Sequence, residues 1–106
     1  MTLFDDRERQ FETKYAHDEE MRFKMTVRRN RLLGEWAAGQ MAMTGAEAAD
    51  YARTIVEADF QKPGDSDVID KVLGDLTAHG VKADERSIRA KLEECASTAK
   101  VQLMSE

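Results

Sequence analysis

The sequence is poor in the residues that disulfide-linked, all-β and membrane-spanning proteins need. Its single cysteine, Cys95, cannot form an internal disulfide, which suits a reducing compartment. One proline and six glycines are too few for the frequent turns of an all-β chain. No apolar run approaches the length that spans a bilayer, and residues 1–6 lack the basic start of a signal peptide. We therefore expect a cytoplasmic protein without direct membrane insertion.

Residues that could carry catalysis are also scarce. The two histidines, His17 and His79, are not in a metal-ligand spacing, and both fall near predicted helix ends, where a surface position is expected. Cys95 belongs to an apolar helix face, which favours packing over a role as nucleophile. No glycine-rich phosphate loop follows a strand. We predict that the chain is not an enzyme, has no catalytic or metal-binding residues and requires no cofactor.

The charges are unevenly placed along an acidic chain. The 16 basic and 21 acidic residues leave a net charge of −5, which argues against a nucleic-acid binder. The densest basic cluster contains Arg28, Arg29 and Arg31. Because Arg28 and Arg31 are one helical turn apart, they could clamp a phosphate together. A solvated basic face is the other interpretation of the same cluster.

Helical periodicity dominates the chain after residue 18. Each of four segments has one apolar and one charged face, which predicts an all-α four-helix bundle over residues 19–106. In the first segment Met25, Leu32 and Trp36 share a face. The predicted helices span residues of about 19–43, 45–60, 66–79 and 84–104.

Local signals mark several helix ends. Thr44 and Glu47 have the spacing of a capping box at the start of the second helix. Asp84 is the predicted N-cap of the fourth helix, and Gly80 suits the left-handed position that ends the third. The candidate N-caps of the third helix are Asp65 and Ser66.

Two glycines lie inside the first predicted helix. Gly34 and Gly39 each cost about 1 kcal/mol relative to alanine in a helix interior. We interpret both as positions that permit close approach of a second helix or a bend.

Residues 1–18, here called the N-terminal arm, differ from the rest. Phe4, Phe11 and Tyr15 are spaced by 7 and 4 residues, so a helix would align them on one face. Asp18 and Arg22 interrupt that face before the bundle begins. Since short isolated helices are marginal in water, we predict a mobile arm that becomes helical on a partner. Alternatively, the arm extends the first helix and its aromatic side chains cover the end of the bundle.

Two stretches together resemble a known family. The first comprises residues 4–9 (FDDRER), 11–12 (FE) and 14–18 (KYAHD), and the second comprises residues 28–34 (RRNRLLG) and 36–38 (WAA). With Thr44-Gly45 and Ala58-Asp59-Phe60, they resemble the zeta-subunit family of inhibitors of the alphaproteobacterial F-type ATP synthase. The resemblance extends over essentially the whole chain.

The resemblance implies a fold, a partner and a mechanism. Members are four-helix bundles whose N-terminal segment enters an interface between the α and β subunits of the catalytic head, becomes helical and blocks ATP hydrolysis. The γ subunit is a further candidate partner. That segment maps onto residues 4–18, with Phe4, Phe11 and Tyr15 as apolar anchors. Its charged partner-binding residues would be Asp5, Asp6, Arg7, Glu8, Glu12 and Lys14.

The resemblance also implies a ligand, and other functions stay open. Some members of the family bind ADP or ATP, and the candidate nucleotide-binding residues here are Arg28, Arg29 and Arg31. The chain could instead be chiefly an adenine-nucleotide sensor. It could also be a helical adaptor that docks through the surface around Met21 and Met25.

Overall fold

A computed structural model describes residues 19–62 and 64–106, and these residues form four α-helices and no strand. The helices are α1 (Glu19–Gln40), α2 (Gly45–Gln61), α3 (Asp65–Ala78) and α4 (Glu85–Met104). The all-α, four-helix prediction is confirmed. Helix bounds lie within one residue of the predicted ones, except that α1 ends three residues before the predicted residue 43. The N-terminal arm, with its predicted mobility, lies outside the described residues.

The early end of α1 has a specific backbone cause. Ala42 has a left-handed φ of 61°. Its N–H donates to the Gly39 carbonyl at 3.1 Å, while the Met43 N–H donates to the Ala38 carbonyl at 2.9 Å. These two bonds form the Schellman motif that closes a helix. The prediction was wrong here because alanine, unlike glycine, gives no sequence signal for a left-handed residue.

α3 ends in the same motif with the expected residue. Gly80 has φ 74°, and its N–H donates to the Thr77 carbonyl at 3.0 Å. The Val81 N–H donates to the Leu76 carbonyl at 2.9 Å. The prediction for Gly80 is confirmed, and glycine takes this conformation at no steric cost.

The fourth helix begins with the predicted N-cap. The Ser87 N–H donates to Oδ1 of Asp84 at 2.7 Å, and the Asp84 N–H donates to Oγ of Ser87 at 3.3 Å. Together these bonds form a capping box. The hydrogen bonds from the Ser87 backbone and hydroxyl lower the pKa of the Asp84 carboxyl.

The starts of α2 and α3 differ from the predictions: the capping box at Thr44 does not form, and neither Asp65 nor Ser66 is the N-cap of α3. Thr44 is the N-cap of α2, but its side chain accepts no capping hydrogen bond. The next residue, Gly45, has φ 57°, so the first turn departs from the helical geometry that would aim the Glu47 N–H at Thr44. Gly64 is the N-cap of α3, and the helix already begins at Asp65.

α1 packs against all three other helices and contributes one continuous row to the core. That row contains Leu33, Ala37 and Met41, whereas Leu32 and Trp36 are only half-buried beside it. The predicted apolar face of α1 was therefore wrong by at least about 100° around the helix axis, since successive residues are rotated by that angle. The core residues from the other helices are Ile55, Val68, Ile69, Val72, Leu76, Ile88, Leu92 and Cys95.

One of the two interior glycines of α1 permits close helix contact. A Cβ built on Gly34 would lie 2.6 Å from the Cα of Ala52, so the backbones of α1 and α2 touch there. A Cβ on Gly39 would have nothing within 4 Å. The interpretation of close approach is confirmed for Gly34 and does not hold for Gly39.

Candidate functional site

α1 changes character along its length. In its C-terminal half, Leu33, Ala37 and Ala38 are fully buried. In its N-terminal half, residues 19–29, every residue is exposed or half-buried. Phe23 and Val27 precede Asn30, Leu33 and Ala37 at steps of four and three, so they continue the row that faces the core. The N-terminal half of α1 therefore presents a core-type face with little cover.

Two phenylalanines lie on this face. The rings of Phe23 on α1 and Phe60 on α2 stack with centroids 5.4 Å apart and an interplanar angle of 24°. Each residue keeps 53% of its surface exposed. A stacked aromatic pair contributes about 0.5–1.5 kcal/mol beyond burial, so the pair is held in place while half of its apolar surface stays in solvent.

The two rings belong to a groove between the N-terminal half of α1 and the C-terminal half of α2, here called the phenylalanine groove. Its volume is about 490 Å³. The apolar lining comes from Phe23, Val27, Val56 and Phe60, and the charged lining comes from Glu19, Arg22 and Asp59. An apolar concavity with a few charges of both signs suits a side chain or helix of mixed character.

Asn30 closes the apolar row at the point where α1 becomes buried. It is 1% exposed and lines the phenylalanine groove. Its Oδ1 accepts a hydrogen bond from Nε of Arg29 at 3.1 Å. A buried amide needs such partners, and this one marks the boundary between the groove and the core.

The three candidate nucleotide-binding arginines each contact a carboxylate. Arg28 donates from Nη1 to Oε1 of Gln102 at 3.1 Å, and its Nη2 lies 2.6 Å from Oε1 of Glu106. Nη2 of Arg29 lies 3.0 Å from Oδ1 of Asp65. The remaining pair joins Nε of Arg31 to Oε1 of Glu35 at 3.5 Å. Arg28 and Arg29 thus connect α1 to the end of α4 and the start of α3.

The structure brings two of these arginines to one concavity and separates the third. Arg28, Arg31 and Lys24 line a hollow of about 310 Å³, here called the arginine hollow, together with Glu106. Arg29 faces Asp65 instead. The arginine hollow therefore has three cationic groups, and each of them is paired with a carboxylate: Arg28 with Glu106, Arg31 with Glu35 and Lys24 with Glu20.

A polar network joins the N-terminal half of α2 to α3, away from the phenylalanine groove. The Tyr51 hydroxyl donates to Oδ2 of Asp75 at 2.8 Å, and Nζ of Lys71 donates to the same oxygen at 3.0 Å. Burial raises the pKa of the Tyr51 hydroxyl, and the hydrogen bond to Asp75 and its negative charge raise it further. The aromatic residue here is anchored, unlike Phe60 on the same helix.

The cysteine and the described histidine, which the sequence offered as possible catalytic residues, have no catalytic side chain hydrogen-bonded to them in the described part of the chain. Cys95 is 5% exposed in the core, which confirms the predicted packing position. Burial raises the pKa of its thiol. His79 is exposed, with Nδ1 2.9 Å from the Asp75 carbonyl. Within residues 19–62 and 64–106, no cluster of three acidic, histidine or cysteine side chains is placed to hold a metal.

All partner-binding residues predicted in the N-terminal arm lie outside the described residues. These are Phe4, Asp5, Asp6, Arg7, Glu8, Phe11, Glu12, Lys14 and Tyr15.

The phenylalanine groove was not predicted from the sequence. The docking surface predicted there lay around Met21 and Met25, but both residues are half-buried. The exposed aromatic side chains are Phe23 and Phe60. One signal was available: Phe23 lies two positions from Met25, which places it on another side of the helix from the assumed apolar face.

The fold and its surfaces define a class of protein: a four-helix bundle that presents an apolar groove and a basic hollow, as helical binding proteins do. None of the described helices is long and apolar enough to cross a membrane. The family model for the ATPase inhibitor subunit zeta matches residues 1–102. The chain belongs to this family of inhibitor subunits, and its role is inhibitory regulation of an ATPase.

A solved structure has a similar fold. A protein determined by solution NMR is 45% identical in sequence and superposes with a TM-score of 0.71. The match covers 80% of this chain and 96% of that one. No curated protein sequence is significantly similar to the chain.

Proposed function

We propose that the chain inhibits ATP hydrolysis by the F-type ATP synthase, with its N-terminal arm inserted between an α and a β subunit of the catalytic head. The observation that carries this proposal is the extent of the family match, which begins at residue 1 and so includes the arm. The protein would act in the cytoplasm, on the soluble part of the membrane-bound enzyme. A wedge in that interface would prevent the closure that hydrolysis requires.

The arm needs more than its aromatic side chains to stay in such an interface. Burial of Phe4, Phe11 and Tyr15 would contribute roughly 6–9 kcal/mol in total. Ordering about 15 residues costs on the order of 15–30 kcal/mol in backbone entropy. The difference must come from further apolar contact, backbone hydrogen bonds and the six charged residues of the arm named above. This is why we assign both aromatic and charged residues to the contact.

α1 would lower the cost of forming the arm helix. A new helix is slow and unfavourable to nucleate, whereas extension of an existing one adds a hydrogen bond for each residue that is ordered. α1 already begins at Glu19, directly after the arm. The bundle would therefore act as a preformed nucleus from which the arm helix grows once the head supplies contacts.

The test is ATP hydrolysis by a purified alphaproteobacterial F-type ATPase head titrated with the full chain. Replacement of Phe4, Phe11 and Tyr15 by alanine should weaken inhibition by at least tenfold, since the apolar anchors are lost. The matched control replaces three polar residues of the arm that we assign no contact. These are Thr2, Gln10 and Thr13, again changed to alanine.

The control variant should inhibit like the unmodified chain, and both variants should keep the circular dichroism of a helical bundle. Full potency of the aromatic variant would overturn the wedge mechanism. Equal losses in both variants would assign inhibition to contacts along the whole arm and not to the aromatic anchors in particular.

A second function is favoured by the arginine hollow. We propose that Arg28 and Arg31 take part in binding the phosphates of ADP or ATP, whereas Arg29, which pairs with Asp65 outside the hollow, does not. Because Glu106 pairs with Arg28, a phosphate would have to displace it. Glu106→Gln should then tighten ADP binding several-fold in an NMR titration, and Glu93→Gln, an exposed change elsewhere on α4, should not. Unchanged amide signals around residues 28–31 would exclude this site.

A further inference from the structure

We propose that the phenylalanine groove is a second contact with the ATPase, and that it binds the apolar face of a helix on the surface of the catalytic head. The bundle would make this contact, whereas the N-terminal arm would make the wedge proposed above. The inference rests on the proposed function, because it takes the catalytic head as the partner. The groove would hold the inhibitor on the enzyme without itself blocking hydrolysis.

The first argument is the exposed apolar surface of the groove. In residues 19–62 and 64–106, the large apolar residues that are exposed are Phe23, Phe60 and Val101. Two of these three meet in the groove, where their rings stack with centroids 5.4 Å apart. Because the rings already hold each other in place, a partner can cover them with little further loss of side-chain freedom. Exposed aromatic side chains that meet in a concavity are typical of a protein-binding surface.

The second argument is the state of the charges that line the groove. No ion pair in the described part of the chain includes Glu19, Arg22 or Asp59. Asp59 accepts a long hydrogen bond from the Gly64 N–H, with donor and acceptor 3.4 Å apart. In the arginine hollow, by contrast, every cationic side chain already has a carboxylate partner. The groove can therefore pair with the charges of a partner without first breaking an ion pair of its own.

The lining of the groove also defines the chemistry of the partner. A helix that lies between α1 and α2 would place its apolar side chains on the two rings. It would carry a basic residue opposite Glu19 or Asp59 and an acidic residue opposite Arg22. The groove thus fits an amphipathic helix whose apolar face is flanked by charges of both signs.

The third argument is position, and it favours the catalytic head over a second copy of the chain. Glu19 is the first residue of α1 and also lines the groove. Since successive Cα atoms are about 3.8 Å apart, the groove begins where the arm ends. An arm held by the head would present the groove to the surrounding surface at an effective concentration in the millimolar range. A contact too weak to join two free molecules is then populated on the enzyme.

The experiment is photo-crosslinking of the full chain to a purified alphaproteobacterial F-type ATPase head. The photoreactive amino acid benzoylphenylalanine, placed at position 60, should crosslink to a subunit of the head. The same amino acid at position 101 should not. Val101 is the matched control, because it is also an exposed apolar residue, 39% accessible, but lies on α4 outside the groove.

Inhibition of ATP hydrolysis is titrated in parallel with Phe60→Ser and Val101→Ser. Phe60→Ser should raise the concentration needed for half-inhibition about tenfold, because an aromatic anchor of the contact is lost. Maximal inhibition should stay unchanged, since the groove does not form the wedge. Val101→Ser should match the unmodified chain in both respects, and both variants should keep the circular dichroism of the bundle.

Each outcome decides the proposal. A crosslink to the head from position 60 and not from position 101, with weaker inhibition by Phe60→Ser alone, supports it. Absence of that crosslink would overturn it, as would unaltered inhibition by Phe60→Ser or a crosslink to a second copy of the chain. The aromatic arm variant described above separates this inference from the proposed function. Full potency of that variant would remove the wedge and leave the groove contact, whereas full potency of Phe60→Ser would remove the groove contact and leave the wedge.

Discussion

The two halves of α1 share one apolar face, but this face is buried in the C-terminal half and largely exposed in the N-terminal half. Residues 30–40 are enclosed by the other three helices, and Gly34 brings α2 into backbone contact. Residues 19–29 continue the same row past the point where that enclosure ends, and Phe23 is left half in solvent. The difference teaches that one helix can supply both packed core and an exposed apolar surface, depending on the positions of its neighbours. Four experiments test this difference and the contacts of the helices around it.

The largest effect on stability is expected when an apolar side chain of α1 is shortened to alanine in the buried half of the helix, and the comparison is the same change in the exposed half. Leu33→Ala should lower the free energy of unfolding by about 2–5 kcal/mol, because a fully buried leucine leaves a cavity. Phe23→Ala should lower it by only about 1 kcal/mol, since the ring is already 53% exposed. Urea denaturation measures both. Similar losses would mean that the open half of α1 is as tightly packed as the other.

The next test uses one substitution at two glycines of α1. Gly34→Ala should destabilise by about 1–3 kcal/mol, because its Cβ would lie 2.6 Å from the Ala52 Cα and the helices must move apart. Gly39→Ala should stabilise by up to about 1 kcal/mol, because the site is open and alanine favours helix. Thermal denaturation shows the sign of each change. A stabilising Gly34→Ala would contradict the close contact of α1 and α2.

A third test compares the two aromatic residues of α2. The pKa of Tyr51 is raised in the folded chain, so its contribution to stability is complete below about pH 10. It is lost as the pH rises further, because the unfolded chain then ionises first. Tyr51→Phe should cost about 1 kcal/mol at pH 7 and reduce this alkaline loss.

Phe60→Leu is the control for that comparison, since it keeps Tyr51 and every other group that titrates. Unfolding measured from pH 7 to pH 11 should give the same alkaline slope for Phe60→Leu as for the unmodified chain. An equal slope in Tyr51→Phe would show that the hydrogen bond to Asp75 does not anchor this end of α2.

The smallest effects on stability are expected at the left-handed residues that follow α1 and α3. Ala42→Gly should stabilise by less than about 1 kcal/mol, because relief of the left-handed strain is partly offset by the freedom glycine adds to the unfolded chain. Gly80→Ala, the same exchange in reverse at the end of α3, should destabilise by about 1 kcal/mol. Differential scanning calorimetry resolves both. Destabilisation by Ala42→Gly would contradict the strain at this residue.

The sequence predicted individual segments of the candidate site but not the contacts between them. The arm and the arginine cluster were found from spacing and charge, since both patterns are local in the sequence. The phenylalanine groove was not found, because Phe23 and Phe60 are 37 positions apart and Phe23 does not lie on the apolar face assumed for α1. The pairing of Arg28 with Glu106 joins residues 78 positions apart and was equally invisible.

The sequence by itself determined the four helices and, to within one residue, every helix boundary except the end of α1. Helical periodicity, the Asp84 cap and the Gly80 terminator act through residues only a few positions apart. Only the tertiary structure decided that α1 ends at Gln40. The backbone contact of Gly34 with Ala52 requires the chain to reverse there, and Ala42 accepts a left-handed conformation to do so. The same packing also decided which part of the apolar row on α1 became core and which became groove, since burial depends on neighbours that no local pattern encodes.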